Sequence, residues 1–201
     1  MIRLLLADDQ ALVRGALSAL LSLESDLEVV AEVGSGDAVL EAVRQHRPDV
    51  VLMDVEMPGL DGISATEQVR AAFPGTRVLI VTTFGRPGFL RRAMQAGASG
   101  FVVKDTPAAQ LADAVRRVHE GLRVVDPVLA TDSLVAGESP LTPRETEVLR
   151  AARDGSSVAG IASRLFLSEG TVRNHLSAAI GKTQAANRAE AVLTAESNGW
   201  L

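Results

Sequence analysis

The sequence predicts an open, parallel α/β domain joined to a small all-helical one. Three observations lead there. From residue 1 to about 120, short and almost wholly apolar runs alternate with amphipathic helical stretches, the pattern of βαβ units covered on both faces. Four of these runs end in residues that carry chemistry: Asp8-Asp9, Asp54, Thr82 and Lys104. From Leu141 onward the pattern is helical throughout, with a short helix, a tight turn and a longer helix in succession.

In order, strands are predicted over Ile2–Ala7, Leu27–Val33, Asp49–Met53, Arg77–Val81 and Gly100–Val103. Between them, Val13, Leu17, Leu20 and Leu21 form the apolar stripe of the first helix. Leu111, Val115, Val118 and Leu122 form that of the fifth. Five strands with five helices fit a flavodoxin-like five-stranded parallel sheet. Gly121 and Pro127 then punctuate the chain, and residues 121–138 mix Pro, Gly, Ser and acids as a linker does.

The remainder starts with Thr142-Pro143-Arg144-Glu145, a capping box with Pro at the first helical position. That helix is expected to reach Asp154 and to end at Gly155. A short helix over Val158–Leu165 follows, then Ser168 caps a longer one over Glu169–Lys182. A last helix covers Asn187–Asn198. The expected organisation is a first domain over 1–120, a linker over 121–138 and a helical domain over 139–201.

Composition narrows the chemistry. The chain has no Cys, which removes disulfides and thiolate chemistry. Its net charge of −5 is uneven: residues 1–137 hold 13 Lys+Arg against 18 Asp+Glu, whereas residues 138–201 hold 7 of each. The neutral tail permits nucleic-acid binding that the acidic front would oppose. No basic leader precedes the first strand and no apolar run would span a bilayer, so a soluble cytoplasmic protein is expected. His46, His119 and His175 share no spacing suited to a ligand set.

In an open parallel sheet the strand C-termini gather along one edge, where ligands bind. Four segments would therefore deliver Asp8, Asp9, Asp54, Thr82 and Lys104 to one small site. Asp9 and Asp54 suit a hard divalent cation such as Mg²⁺, with Asp8 acting through a coordinated water and the Glu56 main-chain carbonyl as a further ligand. Lys104 and Thr82 suit the oxygens of a phosphoryl group on Asp54. Any one acid alone could simply cap a helix or open a turn; the full set in register argues for a site.

Asp8-Asp9, Asp54 within MDVEMPGLDG, Thr82 in IVTTF and Lys104 in GFVVKD resemble the receiver domain of two-component response regulators over residues 1–120. The resemblance implies that Asp54 accepts phosphate from a histidine kinase with Mg²⁺ required. It also implies that Thr82 and Phe101 form a switch pair, Phe101 rotating inward on phosphorylation. LTPRETEVLRAARDG, IASRLFLSEGTVRNHL and NRAEAV in the tail resemble the LuxR-type helix-turn-helix of the NarL/FixJ family. That likeness implies a recognition helix over Glu169–Lys182 in the major groove of promoter DNA, with Arg173, Asn174 and Ser177 outward. Lys182 and Arg188 then suit phosphate contacts. Gly181 inside the recognition helix weakens it, which favours a homodimer on two half-sites. The TTFGRPG stretch and the ending Asn198-Gly199-Trp200-Leu201 resemble regulators of membrane-lipid desaturation.

The reading is thus a phosphorylated transcription regulator rather than an enzyme. A rival is an aspartyl-phosphate hydrolase with Asp54 as nucleophile and Glu56, two residues on, as its acid-base partner. That rival gives the Asp8-Asp9 pair and the helical tail no role.

Overall fold

The computed structural model describes residues 1–83, 87–135 and 139–201. It forms two compact units, the first built on a sheet and extending to Thr131, the second helical. Among the described residues no helix is long and apolar enough to cross a membrane.

The first unit alternates β1 (Ile2–Ala7), α1 (Ala11–Leu21), β2 (Leu27–Val33), α2 (Gly36–His46), β3 (Val50–Met53), α3 (Gly62–Ala72), β4 (Arg77–Thr82), α4 (Pro87–Gln95), β5 (Gly100–Val103) and α5 (Ala108–His119). A two-residue β6 (Val124–Val125) and α6 (Pro127–Val135) follow. Strand order is β2-β1-β3-β4-β5-β6, with every pairing parallel. The chain therefore reverses winding direction between β1 and β3, and a crevice opens there at the strand C-termini.

Strand residues alternate between the two faces. Leu5, Val51, Met53, Ile80 and Phe101 join the core on the face that also receives Val39, Val43, Ile63, Val69 and Leu90 from α2, α3 and α4. Leu4, Leu6, Leu52, Leu79 and Val81 join the core that receives Leu21 and Leu111, Val115 and Val118 from α1 and α5. Both faces are covered, which is why the strands read as continuous apolar runs.

In the first unit the structure amends the sequence reading in three places. The sheet has six strands, not five, because Val124 and Val125 pair with Gly100 and Phe101. Residues expected as linker thus begin inside the first unit, and Leu129 of α6 is buried in its core. Leu20 and Leu122, assigned to apolar stripes, are 45% and 50% exposed. Leu122 lies beyond the end of α5, where the helical period no longer holds.

The second unit comprises α7 (Pro143–Ala151), α8 (Val158–Leu165), α9 (Glu169–Thr183) and α10 (Arg188–Ser197). Each start is capped by its own side chain: Thr142, Ser157, Ser168 and Asn187 accept main-chain N–H bonds three residues ahead. The capping box at α7 is complete in both directions. That helix stops at Ala151, three residues short of expectation, and the chain turns to Gly155 at φ +77°. Val148, Leu149, Ile161, Val172, Leu176, Ala179, Ala191 and Ala195 form the small core.

Candidate functional site

Strand register builds the acidic pocket. Ala7 pairs with Met53 across β1 and β3, so the residues that follow them, Asp8 and Asp54, emerge side by side. Their main chains are pinned as well: the Asp54 N–H donates to the Ala7 carbonyl at 2.8 Å and the Asp8 N–H to that of Val33 at 3.1 Å. Lys104 extends the β4–β5 ladder by one residue, its N–H donating to the Thr82 carbonyl at 2.7 Å. Glycine makes room behind: a Cβ on Gly36 or Gly62 would collide with the main-chain carbonyls of Leu60 and Asp54 respectively.

Asp8 and Asp54 are each only 3% exposed. The Lys104 ammonium bridges them, 2.7 Å from Asp8 Oδ2 and 2.9 Å from Asp54 Oδ2. Their other oxygens are held by main-chain donors, Gln10 N–H on Asp8 Oδ1 at 2.9 Å and Val55 N–H on Asp54 Oδ1 at 2.8 Å. Burial nevertheless pushes the Asp54 carboxyl above the usual carboxylate range, with the Asp8 charge adding to it and the bond from Lys104 opposing. Burial also disfavours the Lys104 ammonium, but its bonds to Asp8 and Asp54 outweigh this and its pKa rises. One cation thus partly offsets two crowded carboxylates.

Carboxylate oxygens of Asp8, Asp9 and Asp54 all lie within 4.8 Å of one another, with Asp9 exposed at the mouth. Three hard oxygen donors converging on a partly solvated spot fit a divalent cation that keeps several waters. The exposed Glu56 follows Asp54 by two residues and its carboxylate does not join this group. Thr82 is buried at the end of β4, and Phe101 is fully buried on β5 opposite Ile80. The ring therefore already occupies the inward position that the resemblance ties to phosphorylation.

Arg14 is a further residue of the site. From α1 its Nη1 donates to the Asp8 carbonyl at 2.6 Å while Nε lies 3.4 Å from Glu32 Oε2. It ties α1 and β2 to the main chain of the pocket. Nothing in its spacing from Asp9 reveals this, because the target is a carbonyl.

In the helical unit, α8, a turn and α9 form the expected helix-turn-helix outline, with Phe166 at the turn in a left-handed conformation. Val172, Leu176 and Ala179 face the core, while Arg173, Asn174 and Ser177 are exposed on the opposite side of α9. Arg173 Nη2 lies 2.7 Å from Glu169 Oε2, one turn back. Lys182 and Arg188, read as phosphate contacts, each have a partner within the unit. Lys182 Nζ lies 2.7 Å from Glu145 Oε2, and Arg188 Nη1 donates to the Ser156 carbonyl at 2.7 Å. His175 is half-buried on the core side, as its position on the helix implied.

Comparison with known proteins gives two matches along the chain. Residues 4–116 match the response regulator receiver domain, and residues 139–195 match the bacterial regulatory proteins of the luxR family. The transcriptional regulatory protein YvfU of Bacillus subtilis (strain 168) is 44% identical over 201 residues, covering 100% of both chains. The transcriptional regulatory protein DesR of the same organism is 42% identical over the same span, again with 100% of both chains covered. Among solved structures, the response regulator ChrA of a heme-sensing two-component system shares 35% identity at a TM-score of 0.61, covering 100% of this chain and 98% of that one.

Proposed function

This chain belongs to the response regulators that join a receiver domain to a DNA-binding domain of the luxR family, and from that premise we propose that Asp54 is the phosphoacceptor through which it regulates transcription. A sensor histidine kinase supplies the phosphoryl group. The bond between its phosphohistidine nitrogen and phosphorus breaks as one between Asp54 Oδ2 and phosphorus forms, and the imidazole leaves. The phosphorylated chain then binds promoter DNA as a dimer.

The observation that carries this reading is the Lys104 ammonium held between two buried carboxylates, 2.7 Å from one and 2.9 Å from the other. On phosphorylation Lys104 shifts its donation from Asp54 to a phosphoryl oxygen. Thr82, at the end of β4, donates to another, beside a Phe101 ring that is already inward. Asp8, Asp9 and Asp54, with the Glu56 carbonyl, hold Mg²⁺, which when bound neutralises charge between the carboxylates and the incoming phosphoryl group. Arg173, Asn174 and Ser177 read base edges from α9. Leu12, Leu20 and Leu23, exposed on and just beyond α1, supply apolar area for self-association.

Incubating the full chain with acetyl phosphate and Mg²⁺ should add the mass of one phosphoryl group, lost in Asp54→Asn. Footprinting of genomic DNA with and without the donor should show protection that depends on it. Absence of the added mass in the unsubstituted chain refutes the proposal. Steady turnover of a small phosphate ester would point instead to the hydrolase.

A further inference from the structure

Lys182 stands five residues beyond Ser177 and nine beyond Arg173 on α9, so it lies roughly 7 and 13 Å along the axis from them. Its ammonium reaches Glu145 Oε2 at 2.7 Å. The same oxygen accepts the Thr142 N–H at 2.7 Å. One carboxylate therefore closes the first turn of α7 and anchors the last turn of α9.

Glu145 is buried, whereas a capping box requires no burial of its glutamate. A buried carboxylate is costly unless paired, and Lys182 is the cation that pairs it. To reach a DNA phosphate as well, Lys182 would have to divide its ammonium between that phosphate and the carboxylate it pairs. We infer that Glu145 is a positioning residue for base recognition, acting through Lys182, and that Lys182 itself makes no phosphate contact. This rests on the reading in which α9 enters the major groove.

The anchor has leverage over the reading face. A tilt of about 10° about Lys182 moves Arg173 by roughly 2 Å, given the rise of a helix. Bidentate hydrogen bonds to base edges do not survive such a displacement. Contacts to phosphate carry no sequence information and re-form along the backbone. Loss of the anchor should therefore fall on specific rather than non-specific binding.

The test uses the full-length chain treated with acetyl phosphate and a duplex of about 30 base pairs, long enough for two half-sites, enriched from a random pool. A scrambled duplex is the control, and both are titrated across salt concentrations. Lys182→Met and Glu145→Gln should each weaken binding to the enriched duplex about tenfold, the scale of one lost base contact. Binding to the scrambled duplex and the slope of log affinity against log salt should stay as in the unsubstituted chain. The double variant should be no worse than Lys182→Met alone, since both remove one interaction, and Lys182→Arg should retain specific binding.

If Lys182→Met instead flattens the salt slope by about 0.9, the worth of one phosphate contact, and weakens both duplexes alike, the inference is overturned. Additive losses in the double variant overturn it as well. Should Lys182→Met fail to fold, the neutral pair Glu145→Gln with Lys182→Gln carries the comparison of the two duplexes and the salt-slope outcome. If the unsubstituted chain enriches no duplex, the DNA-binding reading itself falls, and this inference with it.

Discussion

Replacing Lys104 by Met should turn a pocket that neutralises itself into one that depends on a divalent cation. The side chain removed is the one cation within 3 Å of both Asp8 Oδ2 and Asp54 Oδ2 among the described ion pairs. Both carboxylates would remain nearly inaccessible to solvent. Stranding one partner of a buried pair costs about 3–5 kcal/mol. Asp9 is exposed at the mouth and admits water, so the lower end, about 3 kcal/mol, is expected. For a chain of this size that lowers the midpoint of thermal unfolding by roughly 10 °C. Thermal unfolding of the full chain in EDTA should show the drop, and millimolar Mg²⁺ should recover most of it. The variant should also bind Mg²⁺ more tightly than the unsubstituted chain, because an ammonium no longer competes for the same oxygens. Its phosphorylation by acetyl phosphate should still be slow. A variant as stable as the parent in EDTA, or one that gains no more from Mg²⁺ than the parent does, refutes the reasoning.

Gly62→Ala should destabilise the first unit by about 1–3 kcal/mol, the usual cost of overpacking, because the new Cβ lands on the Asp54 carbonyl. Slower phosphoryl uptake should accompany the lower unfolding midpoint, and a variant unchanged in both shows that the loop yields freely. Arg173→Ala should abolish discrimination between enriched and scrambled duplexes while leaving Asp54 phosphorylation intact; retained discrimination removes Arg173 from base reading. The Lys104 pKa is raised in the fold, so its contribution is fully present below the unfolded value near 10.5. It is lost as pH rises through the higher folded value. Alkaline unfolding curves of the parent and of Lys104→Met should therefore converge, and parallel curves count against the ion pair. Asp54 works with the same sign, in a more acidic range. Its raised pKa makes the fold more stable as pH falls through the folded value toward 3.8.

What could be read in advance follows from the distance in sequence over which each signal acts. Strand ends from β1 to β5 were legible to within a residue, because burial on both faces writes an uninterrupted apolar run. The acids at those ends needed only the rule that parallel strands share an edge. The strand β6 escaped because two residues carry no periodicity. Leu20 was misassigned for a similar reason: in so apolar a helix the sequence pattern does not distinguish the buried stripe from the exposed side. The partners of Lys182 and Arg188, Glu145 and Ser156, stand 37 and 32 residues earlier. No local pattern reports such a pairing. The bond of Arg14 to a carbonyl was invisible too, since every residue has one.

The acids hang from hydrogen-bonded strand ends rather than from loops. The Asp54 amide is already bonded to Ala7 and the Asp8 amide to Val33. The donors that hold Asp8 Oδ1 and Asp54 Oδ1 follow within two residues, on Gln10 and Val55. Deleting a single residue within β3 would retract the acid by about 3.3 Å and turn the strand's inward side chains outward. Descendants of this gene should therefore keep the length of β3 unchanged, and a grafting design should carry each strand together with the two residues after its acid.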